Sequence, residues 1–223
     1  MEFLLDTANI HEIERYNGIY SITGVTSNPI IISREKADFF PTLLAIRKII
    51  GNKQLHVQVT GRSTEEMIKE AQAITAVLGR ETFIKVPTNE IGLKTIKALK
   101  SEGYYVTATA IYTVQQAVMA ANVGANYVAP YFNRMCNNNY DAAAAIADIA
   151  TLYTASGVKT KILAASFKNP FQIMEALLAG ADAVTASPAL FTDMVESPLI
   201  DSAIDGFEKD WQSLYGNKRI YEL

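Results

Sequence analysis

The chain has 223 residues, 49% hydrophobic and 19% charged, enough apolar material for a large core and too much for a disordered protein. Its 20 basic and 23 acidic residues give a net charge of −3 with no basic stripe, which argues against nucleic acid and anionic membranes as partners. Cys136 is the only cysteine, so no internal disulfide or thiolate metal cluster can form, and His11 and His56 are too few for the usual histidine zinc or iron site.

Taken in chain order, the sequence opens on MEFLLDTANI, with an acid at position 2 and no basic leader, so no signal peptide is expected. No run of about 18 apolar residues follows to span a membrane. A cytoplasmic enzyme is the expectation, the lone cysteine fitting a reducing compartment. Short apolar runs rich in β-branched or aromatic residues recur at 2–6 (EFLLD), 22–28 (ITGVTSN), 55–59 (LHVQV), 83–87 (FIKVP), 105–110 (YVTATA), 126–131 (NYVAPY), 161–166 (KILAAS) and 182–187 (DAVTAS). Each is followed by helical periodicity.

The stretch STEEMIKEAQAITAVLG places Met67, Ile68, Ala71, Ile74 and Leu78 on one face, with Ser63 and Glu66 as a capping box and Gly79 as the stop. NEIGLKTIKALKSEG repeats the grammar with Ile91, Thr95, Ala98 and Leu99 on one side and Gly103 at the C-cap. The Ala-rich 141–150 reads as a tightly packed helix, and NPFQIMEALLAGA opens on Pro170 and closes on Gly180. Eight strand–helix pairs in strict alternation predict parallel strands with right-handed crossovers. With almost nothing left for insertions, they match a (β/α)₈ TIM barrel, and no GxGxxG or P-loop supports an open sheet. No composition break divides the chain, so residues 1–223 are expected to form a single barrel domain. A C-terminal helix at about 199–215 adds an apolar stripe of Ile204, Phe207, Trp211 and Leu214, which must cover either its own barrel or a neighbouring subunit.

Barrels of this type take their catalytic groups from the C-terminal ends of the strands. Polar residues there are Asp6, Asn28, Gln58, Lys85, Thr107, Thr109, Tyr131 and Ser166. Lys85 stands out, flanked by Ile84 and Val86 in a strand buried on both faces. Desolvation lowers a lysine's pKa, and the neutral amine can attack a ketone to form a Schiff base. The plain alternative is a lysine reaching from a strand end to solvent. Asp6 can take or position a proton and Asn28 can hydrogen-bond substrate, or each can simply cap the following helix. Gln58 cannot titrate and can only hold a water or hydroxyl; Tyr131 offers a phenol to activate that water, or is an ordinary core aromatic. Arg134, Ser166 and Lys168 fall on adjacent loops that can clasp a phosphate, against a surface ion pair. His56 and Cys136 read as structural.

The motifs LLDTAN (4–9), GVTSNP (24–29), IKVP (84–87), TATAIY (107–112), YVAPYFNR (127–134) and LAASFK (163–168) resemble, in order and spacing over the whole chain, the small transaldolase-like family. Within it the sequence is most similar to the fructose-6-phosphate aldolases. The resemblance implies that Lys85 is the Schiff-base lysine, that Asp6 and Asn28 contact substrate hydroxyls, and that Thr109 helps hold the catalytic water. It implies phosphate binding by Arg134 and Ser166 with Lys168 nearby; Thr26, Thr107 and Ala129 complete the substrate-binding set. It implies no metal and no organic cofactor, and a homo-oligomeric ring, pentamer or decamer, in which the C-terminal helix lies on a neighbour. Transaldolases proper carry glutamate, phenylalanine and serine where this chain has Gln58, Tyr131 and Ala129.

A glutamate shuttles a proton through the bound water itself, whereas a glutamine leaves that task to the tyrosine. The expectation is therefore class I aldol cleavage of fructose 6-phosphate to dihydroxyacetone and glyceraldehyde 3-phosphate. The alternative is a transaldolase of the pentose phosphate pathway moving the same three-carbon unit to an aldose phosphate, and a further class is a silent barrel that only binds sugar phosphates.

Overall fold

The computed structural model describes residues 1–36 and 38–223. The apolar runs become eight parallel strands: β1 (Glu2–Asp6), β2 (Gly24–Thr26), β3 (Gln54–Gln58), β4 (Phe83–Pro87), β5 (Tyr105–Ile111), β6 (Tyr127–Pro130), β7 (Lys161–Ala164) and β8 (Ala183–Ala186). They close into a barrel in chain order, the seam being β1 against β8 with Glu2 opposite Ala183 and Leu5 opposite Ala186. Strand residues such as Leu5, Val25, Leu55, Ile84, Val106 and Val184 are fully buried because helices cover the outer face while side chains fill the interior.

The helices are α1 (Ile10–Ile19), α2 (Pro29–Glu35), α3 (Phe39–Ile50), α4 (Thr64–Leu78), α5 (Glu90–Ser101), α6 (Val114–Asn122), α7 (Phe132–Asn137), α8 (Ala142–Ser156), α9 (Pro170–Leu178), α10 (Pro188–Asp193) and α11 (Pro198–Tyr215). The expected capping box of α4 is present: Glu66 N donates to Ser63 Oγ at 3.2 Å, and Ser63 N donates back to the Glu66 carboxylate at 3.1 Å. Such a cap contributes about 1 kcal/mol. Asn28, Asn89, Asp141 and Asn169 cap α2, α5, α8 and α9 in the same way, so the loop after each of those strands ends in a side chain that fixes where its helix starts.

Several boundaries and faces differ from the sequence expectation. β2 is three residues long, and Asn28, Tyr131 and Ser166 lie just past their strands, not within them. The pairs are also not uniform: β2, β6 and β8 are each followed by two helices, so the chain holds insertions the eight-pair count did not allow for. Arg134 accordingly stands on α7, a short helix, and not on a loop. On α5 the buried face is Gly92, Thr95, Ile96 and Leu99, while Ile91 is 44% exposed, because the helix starts at Glu90 and turns Ile91 outward. Ile68 of α4 is only half-buried.

α11 has no buried residue, and Ile204, Phe207 and Leu214 of its stripe are all exposed. Trp211 packs locally, its ring centroid 4.5 Å from that of Tyr215 and its indole N–H donating to the Lys218 carbonyl at 2.7 Å. The stripe therefore does not cover its own barrel. Among the described residues no helix is long and apolar enough to cross a membrane.

Candidate active site

At the C-terminal ends of the strands lies a cavity of about 420 Å³. It brings together Asp6 from β1, Thr26 and Asn28 at the end of β2, Lys85 from β4, Thr109 from β5, Ala129 from β6, and Tyr131, Arg134, Ser166 and Lys168 from the segments after β6 and β7. These are ten of the twelve residues expected from the sequence.

Lys85 enters from the middle of β4 and is 5% exposed, its Nζ donating to the Ser27 carbonyl at 2.9 Å. Burial lowers its pKa, and the nearby Asp6 carboxylate opposes that shift. The net direction favours the neutral amine over that of an ordinary lysine, which is what nucleophilic attack on a ketone requires.

Burial raises the Asp6 pKa, countered by Lys85, a hydrogen bond from Thr26 and the more distant Arg134. Thr26 Oγ1 donates to Asp6 Oδ1 at 2.6 Å. Since that bond uses its only hydrogen, Thr26 accepts from the Thr185 hydroxyl 2.7 Å away. A string from β8 through β2 thus fixes the carboxylate on β1, leaving its other oxygen for a ligand.

Across the cavity the Tyr131 hydroxyl stands 2.9 Å from Thr109 Oγ1. Burial raises the phenol pKa, so it carries its proton near neutrality; the Thr109 hydrogen bond and Arg134 work the other way. The Arg134 guanidinium carbon lies 4.9 Å from the Tyr131 ring centroid. The β5–β6 register shifts between Ala108 and Ile111, with Ala110 at φ 58°, and this bulge sits beside Thr109.

Ser166 adopts φ 66°, a left-handed conformation that costs a non-glycine residue about 1 kcal/mol or more. It is held there because Asn133 N donates to the Ser166 carbonyl at 2.9 Å and Phe132 N to that of Ala165 at 2.8 Å. Gln172 of α9 ties the loops together, its Oε1 accepting from Lys168 N at 2.9 Å and its Nε2 donating to Asn133 Oδ1 at 3.1 Å. Strain kept in place by a network of this kind marks a position that function has fixed.

A model of the Transaldolase/Fructose-6-phosphate aldolase family matches residues 3–218. The chain belongs to this family. It is 45% identical over 222 residues, 99% of its length and 100% of the relative, to a probable fructose-6-phosphate aldolase of Streptococcus pneumoniae. In fold it is similar to a mutant flavocytochrome b2 with benzoylformate, at a TM-score of 0.62 and 10% identity, covering 84% of this chain and 57% of that one. At that identity the likeness concerns the barrel alone.

Two residues carried over from the transaldolase/fructose-6-phosphate aldolase pattern lie outside the cavity. Thr107 is fully buried one layer below it, bonded to His56 Nδ1 at 2.9 Å. His56 stacks on Phe83 with centroids 4.4 Å apart and reaches Gln54 Oε1 at 3.0 Å, as befits a structural histidine. Gln58 pairs in register with Lys85 but lines a neighbouring, more apolar cavity of about 450 Å³ with Ile32, Phe39, Phe40 and Ile74. Its Oε1 is buried without a partner among the described residues. Conversely, Thr185, Asn133 and Arg34 line the main cavity and were not singled out. Thr185 was legible as the polar residue of β8 and Asn133 lies within YVAPYFNR; Arg34 carried no signal beyond its charge.

Proposed function

We propose that this chain is a class I aldolase that cleaves fructose 6-phosphate reversibly to dihydroxyacetone and glyceraldehyde 3-phosphate, with no metal or organic cofactor. The observation that carries the reading is Lys85, a buried lysine in a sugar-sized polar cavity beside a buried carboxylate and opposite a phenol.

The Lys85 amine adds to the C2 ketone and a water leaves, giving a protonated imine that serves as electron sink. Asp6, with its raised pKa, takes the proton of the C4 hydroxyl; the C3–C4 bond breaks, its electron pair moves into the imine as an enamine, and the aldehyde departs. Tyr131, paired with Thr109, then protonates C3 through a water, becomes a phenolate and recovers its proton as water hydrolyses the imine to free dihydroxyacetone. Asn28, Thr26 and Ala129 face the three-carbon unit. Arg134, Ser166 and Lys168 hold the phosphate, the guanidinium in the bidentate geometry that phosphate favours.

Gln58 lines the cavity next door and is given no proton-transfer role. With a phenol rather than a carboxylate as proton carrier, hydrolysis of the enamine is the expected end of each turnover, which favours free release over transfer. The exposed stripe of α11 fits a homo-oligomer in which this helix of a single-domain barrel lies on a neighbouring subunit. The lone Cys136 and the family's metabolic chemistry fit the cytoplasm.

The deciding measurement is glyceraldehyde 3-phosphate release from fructose 6-phosphate with and without erythrose 4-phosphate. Release without acceptor is expected. Release only with acceptor would make the chain a transaldolase, and release in neither case together with no borohydride-trapped adduct on Lys85 would leave a sugar-phosphate binder.

A further inference from the structure

The cavity is more cationic than one phosphate requires. Arg34, Lys85, Arg134 and Lys168 line it, against Asp6 as its only carboxylate, although the chain as a whole carries −3. A phosphate monoester brings about −1.5 to −2 near pH 7. Arg134 and Lys168 together match that charge, with Ser166 adding a hydroxyl.

Arg34 is left over, and it lies elsewhere. It follows β2, whereas Arg134 follows β6; in a barrel closed in chain order these strands are four apart and face each other across the mouth. α2 turns Ile30, Ile31 and Arg34 toward the cavity, starting from its cap Asn28. Among the described residues Arg34 has no ion-pair partner.

The orientation of a bound ketose, which rests on the reaction proposed above, says what Arg34 meets. Lys85 Nζ lies against the Ser27 carbonyl, next to Asn28, so the C2 carbon that it attacks sits toward the β2 wall. With the 6-phosphate on Arg134, Ser166 and Lys168, C1 points to the α2 side. We propose that Arg34 is a second anion-binding residue and that the cavity takes ketoses carrying an anionic group at both ends, the ketose 1,6-bisphosphates. One phosphate then rests on Arg134, Ser166 and Lys168, the other on Arg34.

Calorimetry at fixed ionic strength with fructose 1,6-bisphosphate and fructose 6-phosphate tests this through the ratio of the two affinities. In the native protein the bisphosphate is expected to bind at least about tenfold tighter, the effect of one added charge-assisted phosphate contact. Arg34→Ala should bring the ratio to within about twofold of one, and Arg34→Lys should keep most of it. Lys97→Ala, which removes the same charge from the exposed face of α5, should keep all of it. A native ratio near one, or a gain that survives Arg34→Ala, overturns the proposal. If fructose 6-phosphate is cleaved and the ratio is one, this inference alone falls. If the gain depends on Arg34 while fructose 6-phosphate binds without being cleaved, the proposed reaction falls and the second anion subsite stands.

Discussion

The hydroxyls of Thr109 and Tyr131 stand 2.9 Å apart on neighbouring strands, close enough for one to orient the other's proton. Removing the phenol should therefore separate imine formation from its discharge. Tyr131→Phe is expected to lower fructose 6-phosphate cleavage about 100-fold, the usual contribution of a positioned acid–base group. Borohydride should still trap the ketose on Lys85, as read by intact mass. Thr109→Ala, which leaves the phenol but frees its proton to rotate, should cost about tenfold.

Lys85→Met should abolish trapping and lower turnover by at least about a thousandfold, because no second amine in the cavity flanks Asp6. In the native enzyme the trapping rate at fixed ketose should rise with pH. Burial lowers the Lys85 pKa from its ordinary 10.5, so the amine form, and the rate, should half-saturate below that value. A midpoint at or above the value for surface lysines would show that the side chain is more solvated than its 5% exposure says.

Arg134 is placed to read phosphate and not the reacting carbons. In the synthetic direction Arg134→Gln should raise KM for glyceraldehyde 3-phosphate about tenfold or more, with KM for unphosphorylated glyceraldehyde changed less than about twofold.

His56 is fully buried and its pKa is driven well below 6.5, by burial first and by Lys85 second. Its ring is thus neutral when folded but titrates normally when unfolded. The folded state has its full stability above about pH 6.5 and loses it as pH falls below that value, since the unfolded chain takes up the proton first. Thermal midpoints measured from pH 7.5 to 5 should fall, and His56→Phe should flatten the decline.

The apolar stripe of α11 predicts its own readout. Phe207→Glu combined with Leu214→Glu should shift the mass in light scattering from a multiple of 24.4 kDa toward the single chain, leaving the barrel folded. An unchanged mass would show that the stripe has no subunit to cover.

The barrel was legible because buried parallel strands read as continuous apolar runs and each following helix carries its own caps, as at Ser63 and Gly79. The extra helices α2 and α7 were not, since seven and six residues are too short to display a helical period. In the site, a strand's two-residue alternation tells which side chains point inward but not how deep along the barrel each one lies. That is why Thr109 reaches the cavity and Thr107, of the same parity, ends beneath it against His56. Gln58 shows the same limit sideways: its register with Lys85 was correct in kind, yet the neighbouring wall, built by Phe39 and Phe40 of α3, draws it into another cavity.

The string from Thr185 through Thr26 to Asp6 also bears on how the protein is made. Asp6 belongs to the first strand to leave the ribosome, but the hydroxyl that completes its support lies 159 residues beyond Thr26 on the strand that closes the seam. Until β8 has been synthesised, β1 lacks one of its two neighbours and the carboxylate beside Lys85 lacks its anchor. The reaction centre therefore cannot ripen piecemeal during translation; it comes into being in a single late event, when the two ends of the barrel meet.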